Sequence, residues 1–305
     1  MDDRNEVETM TQRHTQLGRI RAAMLCAAGA AMLMTAAAEA EDLERTIDVE
    51  PGGKLRIDLP GGHIEVDTHD DATVELDGYA SGRFRFEVRE DKDEVVVRGR
   101  HEGFLPFFVG RVEVHARVPE IFSLDLVTRG GRIDVQDLRG DVEAHTSGGS
   151  IEIQEVEGEV EVSTSGGRIQ AKEIQGSLDA ETSGGSIHVS EVSGDANLRT
   201  SGGGIRVREA AGEVRARTSG GPIEVRFVDT PRGDLRTSGG SIDVEVEEDA
   251  GFDLHAETSG GRIELDEDLA FSGEVDRSEA RGKIAGGGPH LELRTSGGSV
   301  RIRPR

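Results

Sequence analysis

The sequence is nearly devoid of residues that cross-link a fold or form aromatic binding surfaces. Its 305 residues include one cysteine, one tyrosine and no tryptophan. With Cys26 as the single cysteine, intramolecular disulfides and thiolate zinc sites are excluded. With Tyr79 as the single tyrosine, the aromatic platforms on which polysaccharide-active enzymes stack sugar rings are absent too. The stability of the fold must therefore come from the stacking of short apolar side chains.

Positive charge is scarce as well. The chain has 36 Lys and Arg residues against 60 Asp and Glu residues, which gives a formal net charge of −24. Binding to nucleic acid or to bare anionic lipid requires a basic footprint, so we predict no nucleic-acid partner. The general consequence of this acidity is solubility.

Only one long apolar run occurs, between Ala22 and Ala38. Arginines precede it and a small-residue cleavage site, Ala38-Glu39-Ala40, ends it, so residues 1–40 are expected to be a secretory signal peptide. A retained anchor is disfavoured because the run has 17 residues, fewer than the roughly 20 that span a bilayer. Lipidation at Cys26 is disfavoured because no small residue precedes it directly. We predict an exported bacterial protein, periplasmic or at the cell surface, with no transmembrane segment in the mature chain.

The most prominent feature present is the repeated motif Thr-Ser-Gly-Gly-X-Ile. Its first six copies follow at intervals of 18 residues and the next three at 19, 21 and 37 residues. The longest gap contains a degenerate copy, EARGKI, that begins at Glu279. A short fixed period is typical of repeat arrays whose units stack on their neighbours. The motif threonines are Thr128, Thr146, Thr164, Thr182, Thr200, Thr218, Thr237, Thr258 and Thr295.

One repeat, residues 151–167, predicts the geometry of a unit. Apolar residues such as Ile151, Ile153, Val160 and Val162 alternate with polar ones, and a period of two indicates β-strands. Their β-branched side chains suit a pleated, half-buried surface. Two strands and two turns in about 18 residues predict one coil of a β-solenoid. The fold class is therefore all-β, β-helix-like, with almost no helix in the mature chain.

The glycine pair of each motif is expected to form a corner of the coil. A tight corner needs positive φ, which glycine adopts without steric cost, and the preceding serine is expected to close the turn. The threonine shares the inward parity of the valines, so its hydroxyl is expected to bond to a neighbouring coil. The predicted structural turn glycines are Gly130, Gly131, Gly148, Gly149, Gly166, Gly167, Gly184, Gly185, Gly202, Gly203, Gly220, Gly221, Gly239, Gly240, Gly260, Gly261, Gly297 and Gly298.

The rhythm of the repeats divides the mature chain into two parts of one continuous domain, residues 41–305. Longer strand patterns in residues 41–122 predict N-terminal strands that cap the solenoid. Residues 123–305 are expected to form the regular repeats. The C-terminal run Arg301–Arg305 is expected to lie at the end of the stack and to block end-to-end pairing with its charges and proline.

These repeats resemble the bacterial putative adhesin family, a class of exported β-repeat domains without assigned activity. The likeness lies in VEPGGKLRIDLPGGHIEVDT, in the repeated TSGGxI, and in ARGKIAGGG before LELRTSGGSVRI. It extends over about residues 47–302. The resemblance implies an envelope or surface protein with an adhesive role, and it supplies no catalytic residues to carry over.

The polar residues show no pattern of an active site or a metal site. Outward acids such as Glu152 and Glu224 occupy equivalent places in different coils and alternate with residues such as Arg206, which is typical of a solvated face. The calcium-binding repeat GGxGxD is absent, and acidic runs such as residues 245–249 are typical of solvated loops. We therefore predict no enzyme, no catalytic residue, no cofactor and no metal ion.

One apolar segment, GFLPFFVG at residues 103–110, interrupts the predicted strands. It is a candidate interaction loop that grips a partner or a membrane, or a hydrophobic cap over the open end of the solenoid. The cap is favoured because exposed apolar patches are rare in monomers. The candidate residues are Phe104, Leu105, Phe107 and Phe108.

These observations favour a non-catalytic structural or interaction protein of the bacterial envelope. Its partner is expected to be a surface protein or a glycan, bound multivalently because individual polar contacts are weak. Two alternatives remain open at this point. One is a periplasmic protein that supports or senses the envelope, and the other is a degenerate polysaccharide-active β-helix enzyme.

Overall fold

The computed structural model describes residues 41–82, 84–91, 93–101 and 110–305. All regular elements in these ranges are β-strands, which confirms the all-β prediction, and no helix there could span a membrane. The strands form two sheets, sheet 1 with 13 strands and sheet 2 with 14, around one apolar core. The predicted signal peptide (residues 1–40) and the candidate loop (residues 104–108) lie outside the described residues.

The first seven strands form the N-terminal end of both sheets. The coil β2–β3 pairs in parallel with the first regular coil, whereas β1–β4, β4–β7 and β5–β6 are antiparallel pairs. In the sheets, β6 and β7 lie farther from the regular coils than β2 and β3 do. After β3 the chain therefore runs away from the regular coils and returns to them after β7. The strands are β1 (Glu41–Asp48), β2 (Lys54–Leu59), β3 (His63–His69), β4 (Thr73–Ala80), β5 (Phe84–Asp91), β6 (Glu94–His101) and β7 (Val112–Pro119).

The next fourteen strands form seven coils stacked in chain order, which confirms the β-solenoid prediction. Each coil gives one strand to each sheet, and its neighbours pair with it in parallel and in register. Thus Ile151 lies opposite Ile133 and Ile169, and Thr146 lies opposite Thr128. The strands are β8 (Ser123–Thr128), β9 (Ile133–Arg139), β10 (Val142–Thr146), β11 (Ile151–Glu157), β12 (Val160–Thr164), β13 (Ile169–Gln175), β14 (Leu178–Thr182), β15 (Ile187–Val189), β16 (Ala196–Thr200), β17 (Ile205–Ala210), β18 (Val214–Thr218), β19 (Ile223–Phe227), β20 (Gly233–Thr237) and β21 (Ile242–Val246).

The core between the sheets is built from the inward-facing side chains of the strands, which are every second residue along each strand. Ile151 and Ile153 from sheet 1 and Val160 and Val162 from sheet 2 are buried, as the alternation predicted. Burying each such side chain contributes about 1.5–3 kcal/mol. Because the same positions recur in every coil, the core is a continuous column of aliphatic side chains.

The C-terminal six strands do not continue the stack in chain order. The last coil, β26–β27, lies between the coil β20–β21 and the coil β22–β23, and pairs in parallel with both. The strands are β22 (Phe252–Thr258), β23 (Ile263–Leu265), β24 (Phe271–Val275), β25 (Glu279–Ile284), β26 (His290–Thr295) and β27 (Val300–Pro304).

Two expectations about this end are therefore wrong. The Arg301–Arg305 run does not end the stack, because both edges of β27 are paired. The degenerate copy at Glu279 is no coil: it forms β25, which pairs antiparallel with β22 and β24. This antiparallel group and the short β23 end the sheets instead. The parallel register of the repeats tolerates the insertion because every coil offers the same alternation to its neighbour.

Candidate binding surface along the coils

The motif threonine joins adjacent coils. The hydroxyl of the buried Thr200 donates to the carbonyl oxygen of Gly185 in the preceding coil at 2.8 Å. It also accepts the amide N–H of Gly203 in its own turn at 3.4 Å. The predicted bond to the neighbouring backbone is thereby confirmed. The turn, however, is closed by the threonine and not by the serine, which lies exposed.

The same pair of bonds recurs through the stack, including the inserted coil. There Thr295 donates to Gly240 at 2.8 Å, and Thr258 donates to Gly298 at 2.7 Å. The buried hydroxyl is satisfied in both directions, which avoids the cost of about 1–3 kcal/mol for an unpaired buried polar group.

The second glycine of each motif is required for a reason other than the predicted one. None of the predicted turn glycines has a positive φ. A Cβ added to Gly185 would lie 1.8 Å from the carbonyl oxygen of Gly167 in the neighbouring coil, whereas one added to Gly184 would find its nearest atom at 3.6 Å. The second glycine is thus fixed by coil-to-coil contact, whereas a Cβ at the first glycine of this motif would meet only ordinary van der Waals contacts.

Positive φ occurs elsewhere in the coil. The non-glycine residues Asp137, Glu155, Glu173 and Glu209 have φ between 54° and 61°. Outside the motif pairs, Gly140, Gly176 and Gly233 also have positive φ, between 140° and 155°.

In-register stacking turns each outward position into a row that runs along the stacking direction. On sheet 1 the row of Arg206 mixes acidic, basic and neutral residues, as predicted for a solvated face. Arg206 donates two hydrogen bonds to Glu224, at 2.7 and 2.9 Å, and these bonds lower the pKa of Glu224. Farther along, Arg301 donates to Asp243 at 2.9 Å. The charges of this face neutralise one another from coil to coil.

The outward row that precedes the motif threonine on sheet 2 is different. Arg199, Arg217, Arg236 and Arg294 lie directly opposite one another on four adjacent strands. We call these four residues the arginine row. Glu181 and Glu257 occupy the same position on the two flanking coils. The fourth arginine joins the row only because the C-terminal coil is inserted beside β20.

Carboxylates at the outward position two residues before the arginines form ion pairs with the arginine row. Asp234 contacts Arg217 at 3.0 Å and Arg236 at 2.6 Å. Glu292 contacts Arg236 at 2.8 Å and Arg294 at 2.6 Å. The two acid side chains are 18% exposed, against 40–49% for the arginines that they contact. The guanidinium groups therefore form the outer layer of this face.

The electrostatic environment of Glu292 reflects its place between two arginines. Burial alone raises its pKa, but the hydrogen bond from Arg236 and the charge of Arg294 outweigh this, so the pKa is lowered. The carboxylate consequently stays ionised and keeps both guanidinium groups in place.

A shallow groove of about 540 Å³ runs along the arginine row. The exposed motif serines Ser201, Ser219, Ser238 and Ser296 also line it. The groove thus offers guanidinium N–H donors and hydroxyl groups, repeated from coil to coil.

Sequence reasoning missed the arginine row. The signal was present, because four motif copies read Arg-Thr-Ser-Gly-Gly, at Arg199, Arg217, Arg236 and Arg294. The arginine was overlooked because the repeated motif was defined to begin at the threonine that follows it. Within the described part of the chain, no group of three or more His, Cys, Asp or Glu residues is placed to hold a metal ion.

The fold and the repeated turns define the class: a two-sheeted parallel β-solenoid built from TSGG repeats. Residues 53–303 match the family described as Toastrack DUF4097. The chain belongs to this family, and the resemblance stated from its repeats is confirmed. No curated protein matches the chain significantly.

Three solved structures are similar to the chain. A putative lipid binding protein from Parabacteroides distasonis has 14% identity and a TM-score of 0.50, covering 86% of this chain and 97% of that one. A putative adhesin from the same species has 12% identity and a TM-score of 0.46, covering 87% and 98%. A putative adhesin from Parabacteroides merdae has 9% identity and a TM-score of 0.41, covering 86% and 96%. At 14% identity the likeness to the first of these is one of fold.

Proposed function

We propose that the mature chain is an exported, non-catalytic interaction protein of the bacterial envelope that binds its partner through rows of repeated side chains. The observation that carries this proposal is the in-register stacking of the coils, which places equivalent outward side chains beside one another on successive strands. Exposed polar contacts are individually weak, but an array of them gains avidity without any single strong site.

The buried carboxylates of the described residues support a structural role for the polar groups. Asp125 lies against Arg56, with an Nη2–Oδ2 distance of 2.6 Å. Asp134 lies 2.7 Å from Arg132, and burial raises its pKa. Both acids act as ion-pair partners that tie neighbouring coils or residues together, which fits an interaction scaffold better than an enzyme.

Export is proposed from the sequence alone. Residues 1–40 have the pattern of a secretory signal peptide, with Ala38-Glu39-Ala40 as the cleavage site. The similar solved structures are described as adhesins or as a lipid binding protein, and an adhesive role at the surface is the form of the proposal that we favour.

The location is tested by protease treatment of intact cells, followed by fractionation and N-terminal sequencing of the mature protein. Cleavage on whole cells, with a mature start at Glu41, is the expected result. Protection on whole cells with release on disruption of the outer layer would replace adhesion with support or sensing of the envelope from the periplasm. Retention in the cytoplasm would overturn the proposal.

The interaction itself is tested by comparing the free protein with the same protein coupled at high density to beads. We expect the beads to bind envelope glycans or intact cells much more strongly than the free protein does, because avidity multiplies weak contacts. Absence of binding in both formats would contradict an interaction role. Release of sugar from a polysaccharide substrate would instead favour the enzyme alternative.

A further inference from the structure

The arginine row has the properties of a ligand site, and this inference rests on the proposed function, whose ligand class it names. We propose that the arginine row, with the motif serines beside it, binds an extended acidic polysaccharide that lies along the stacking direction of the coils.

The spacing of the row fits a polymer and not a small anion. Adjacent strands lie about 4.8 Å apart, so the four guanidinium groups repeat at that interval over four coils. Each arginine stands directly opposite the next, and like charges opposed across strands are destabilising. A polymer with an anionic group on successive sugar units supplies countercharge at each step of the row.

The guanidinium groups retain donors for such a ligand. A guanidinium carries five N–H donors. Among the described residues, Arg199 has one ion pair, to Asp179 at 3.8 Å, and Arg217 has one, to Asp234 at 3.0 Å. Arg236 and Arg294 have two each, and all four arginines line the groove. Arginine presented in this way binds carboxylate or sulfate with two parallel hydrogen bonds.

The serines supply the second half of the recognition. In the described part of the chain, the hydroxyl groups of Ser201, Ser219, Ser238 and Ser296 form no hydrogen bond, and they line the groove together with the arginines. A hydroxyl both donates and accepts, which matches the hydroxyl groups of a sugar. The arginines of the groove therefore suit the charges of an acidic polysaccharide, and the serines suit its hydroxyls.

Other polyanions fit the surface less well. The groove lining contains no aromatic residue on which a nucleic-acid base could stack. A flat anionic membrane would also meet the acidic surface of a chain with a net charge of −24. A thin polymer contacts the row alone, and at physiological ionic strength charges beyond about 8 Å are screened. Glu181 and Glu257 close the row at its two ends.

The arginines of sheet 1 provide a matched contrast. Arg206 and Arg226 are exposed on the same solenoid, but each donates to an acid of the next coil, Glu224 and Glu245, at 2.7 and 2.6 Å. The two arginines lie in different rows, and in each row the next strand places an acid directly opposite the arginine. Removing two arginines from either sheet changes the net charge by the same amount, so the two faces can be compared directly.

The experiment measures binding of the exported full chain to polygalacturonate, to dextran sulfate and to neutral dextran in about 0.15 M salt. We expect binding to an anionic polymer and none to dextran, and the two polymers tell carboxylate from sulfate recognition. The double variant Arg199→Gln with Arg217→Gln should weaken binding about tenfold or more, the loss expected for a hydrogen bond to a charged group. The control double variant, Arg206→Gln with Arg226→Gln, should change it less than about threefold.

Thermal unfolding of each variant verifies that its fold is intact. A third variant, Arg217→Lys, keeps the charge but loses the planar fork, and it should bind more weakly than the unchanged chain. Equal losses in both double variants would overturn the proposal, because binding would then follow net charge and not the row. Binding to dextran or to anionic lipid vesicles alone would overturn it while leaving the interaction function intact. No binding to cells or to any polymer would refute both.

Discussion

At the residue scale, each motif threonine carries a hydrogen bond across the gap between coils and another within its own turn. Thr200 bonds to Gly185 and Gly203, so a side chain of the same shape without a hydroxyl leaves two half-buried backbone groups without these partners. Each threonine hydroxyl therefore contributes separately to the stability of the stack, and its contribution can be measured by a substitution in a single coil.

Replacing Thr200 with valine should lower the free energy of unfolding by about 1–3 kcal/mol, the cost of unpaired buried polar groups. Thr200→Ser keeps the hydroxyl and loses only a methyl group, so it should cost less than the valine variant. Urea unfolding of both proteins measures the difference. A valine variant as stable as the unchanged chain would show that the two hydrogen bonds contribute nothing net.

The two glycines of one motif should respond differently to alanine. Gly185→Ala places a Cβ 1.8 Å from a backbone carbonyl oxygen and forces adjacent coils apart, whereas Gly184→Ala meets nothing closer than 3.6 Å. We expect the first to cost more than about 2 kcal/mol, in line with overpacking of a tight site. The second should lie within about 0.5 kcal/mol of the unchanged chain, as for a surface change. Equal stability of the two variants in thermal melts would contradict the steric explanation.

The inward place of the threonine could be predicted from the sequence, because a period of two puts it on the side of the valines. The steric role of the second glycine could not be predicted. It depends on how one coil is offset against the next, and no single repeat contains that information. The same limit hid the arginine row, whose members meet only across strands.

At the element scale, the order of the coils is the feature that sequence could least reveal. Every coil presents the same alternation, so Val300 can pair with Ile242 on one side and Ile263 on the other without any local signal. The irregular spacing before Thr295 indicated a break but not its form. The all-β solenoid was readable from periodicity, whereas the insertion of the last coil required the strand pairing itself.

Removal of residues 288–305 should leave the edges of β20–β21 and β22–β23 without the coil that joins them. Unpaired edges recruit strands from other chains, so we expect larger assemblies in light scattering and faster hydrogen exchange in residues 233–265. Removal of Arg305 alone keeps the coil and serves as the control. If the long truncation left both the assembly size and the exchange unchanged, the inserted position of the coil would be wrong.

The inserted coil should also be sensitive to acid through Glu292. Its pKa is lowered in the folded protein, so its contribution to stability is present above its ordinary value of 4.5 and is lost as the pH falls through the lowered value. The stability difference between the unchanged chain and Glu292→Gln should be constant near neutral pH and shrink below about pH 4.5. Unfolding titrations at several pH values measure it, and a difference independent of pH would refute the ion-pair role.

At the scale of the whole described solenoid, stability is a sum over coils and the contacts between neighbours. Coils that share one register are interchangeable, since each binds only the coil on either side. The arginine row, by contrast, depends on which coils are present and in what order. Stability and binding can therefore be separated by removing a coil that lies away from the row.

Deletion of residues 151–168 removes one whole coil, β11–β12, and brings β9 beside β13 and β10 beside β14. Ile133 then faces Ile169, and Thr182 can donate to Gly149 in place of Gly167. We expect a folded protein of slightly lower stability with unchanged polymer binding, because the arginine row is untouched. Deletion of residues 160–168 removes half a coil and moves β13 into the place of β12 in sheet 2, where Glu173 takes the inward position of Thr164. Circular dichroism and thermal unfolding should show a native-like solenoid for the first protein and loss of structure for the second. Equal damage in both would mean that the coils are not equivalent units, and that the solenoid depends on contacts beyond nearest neighbours.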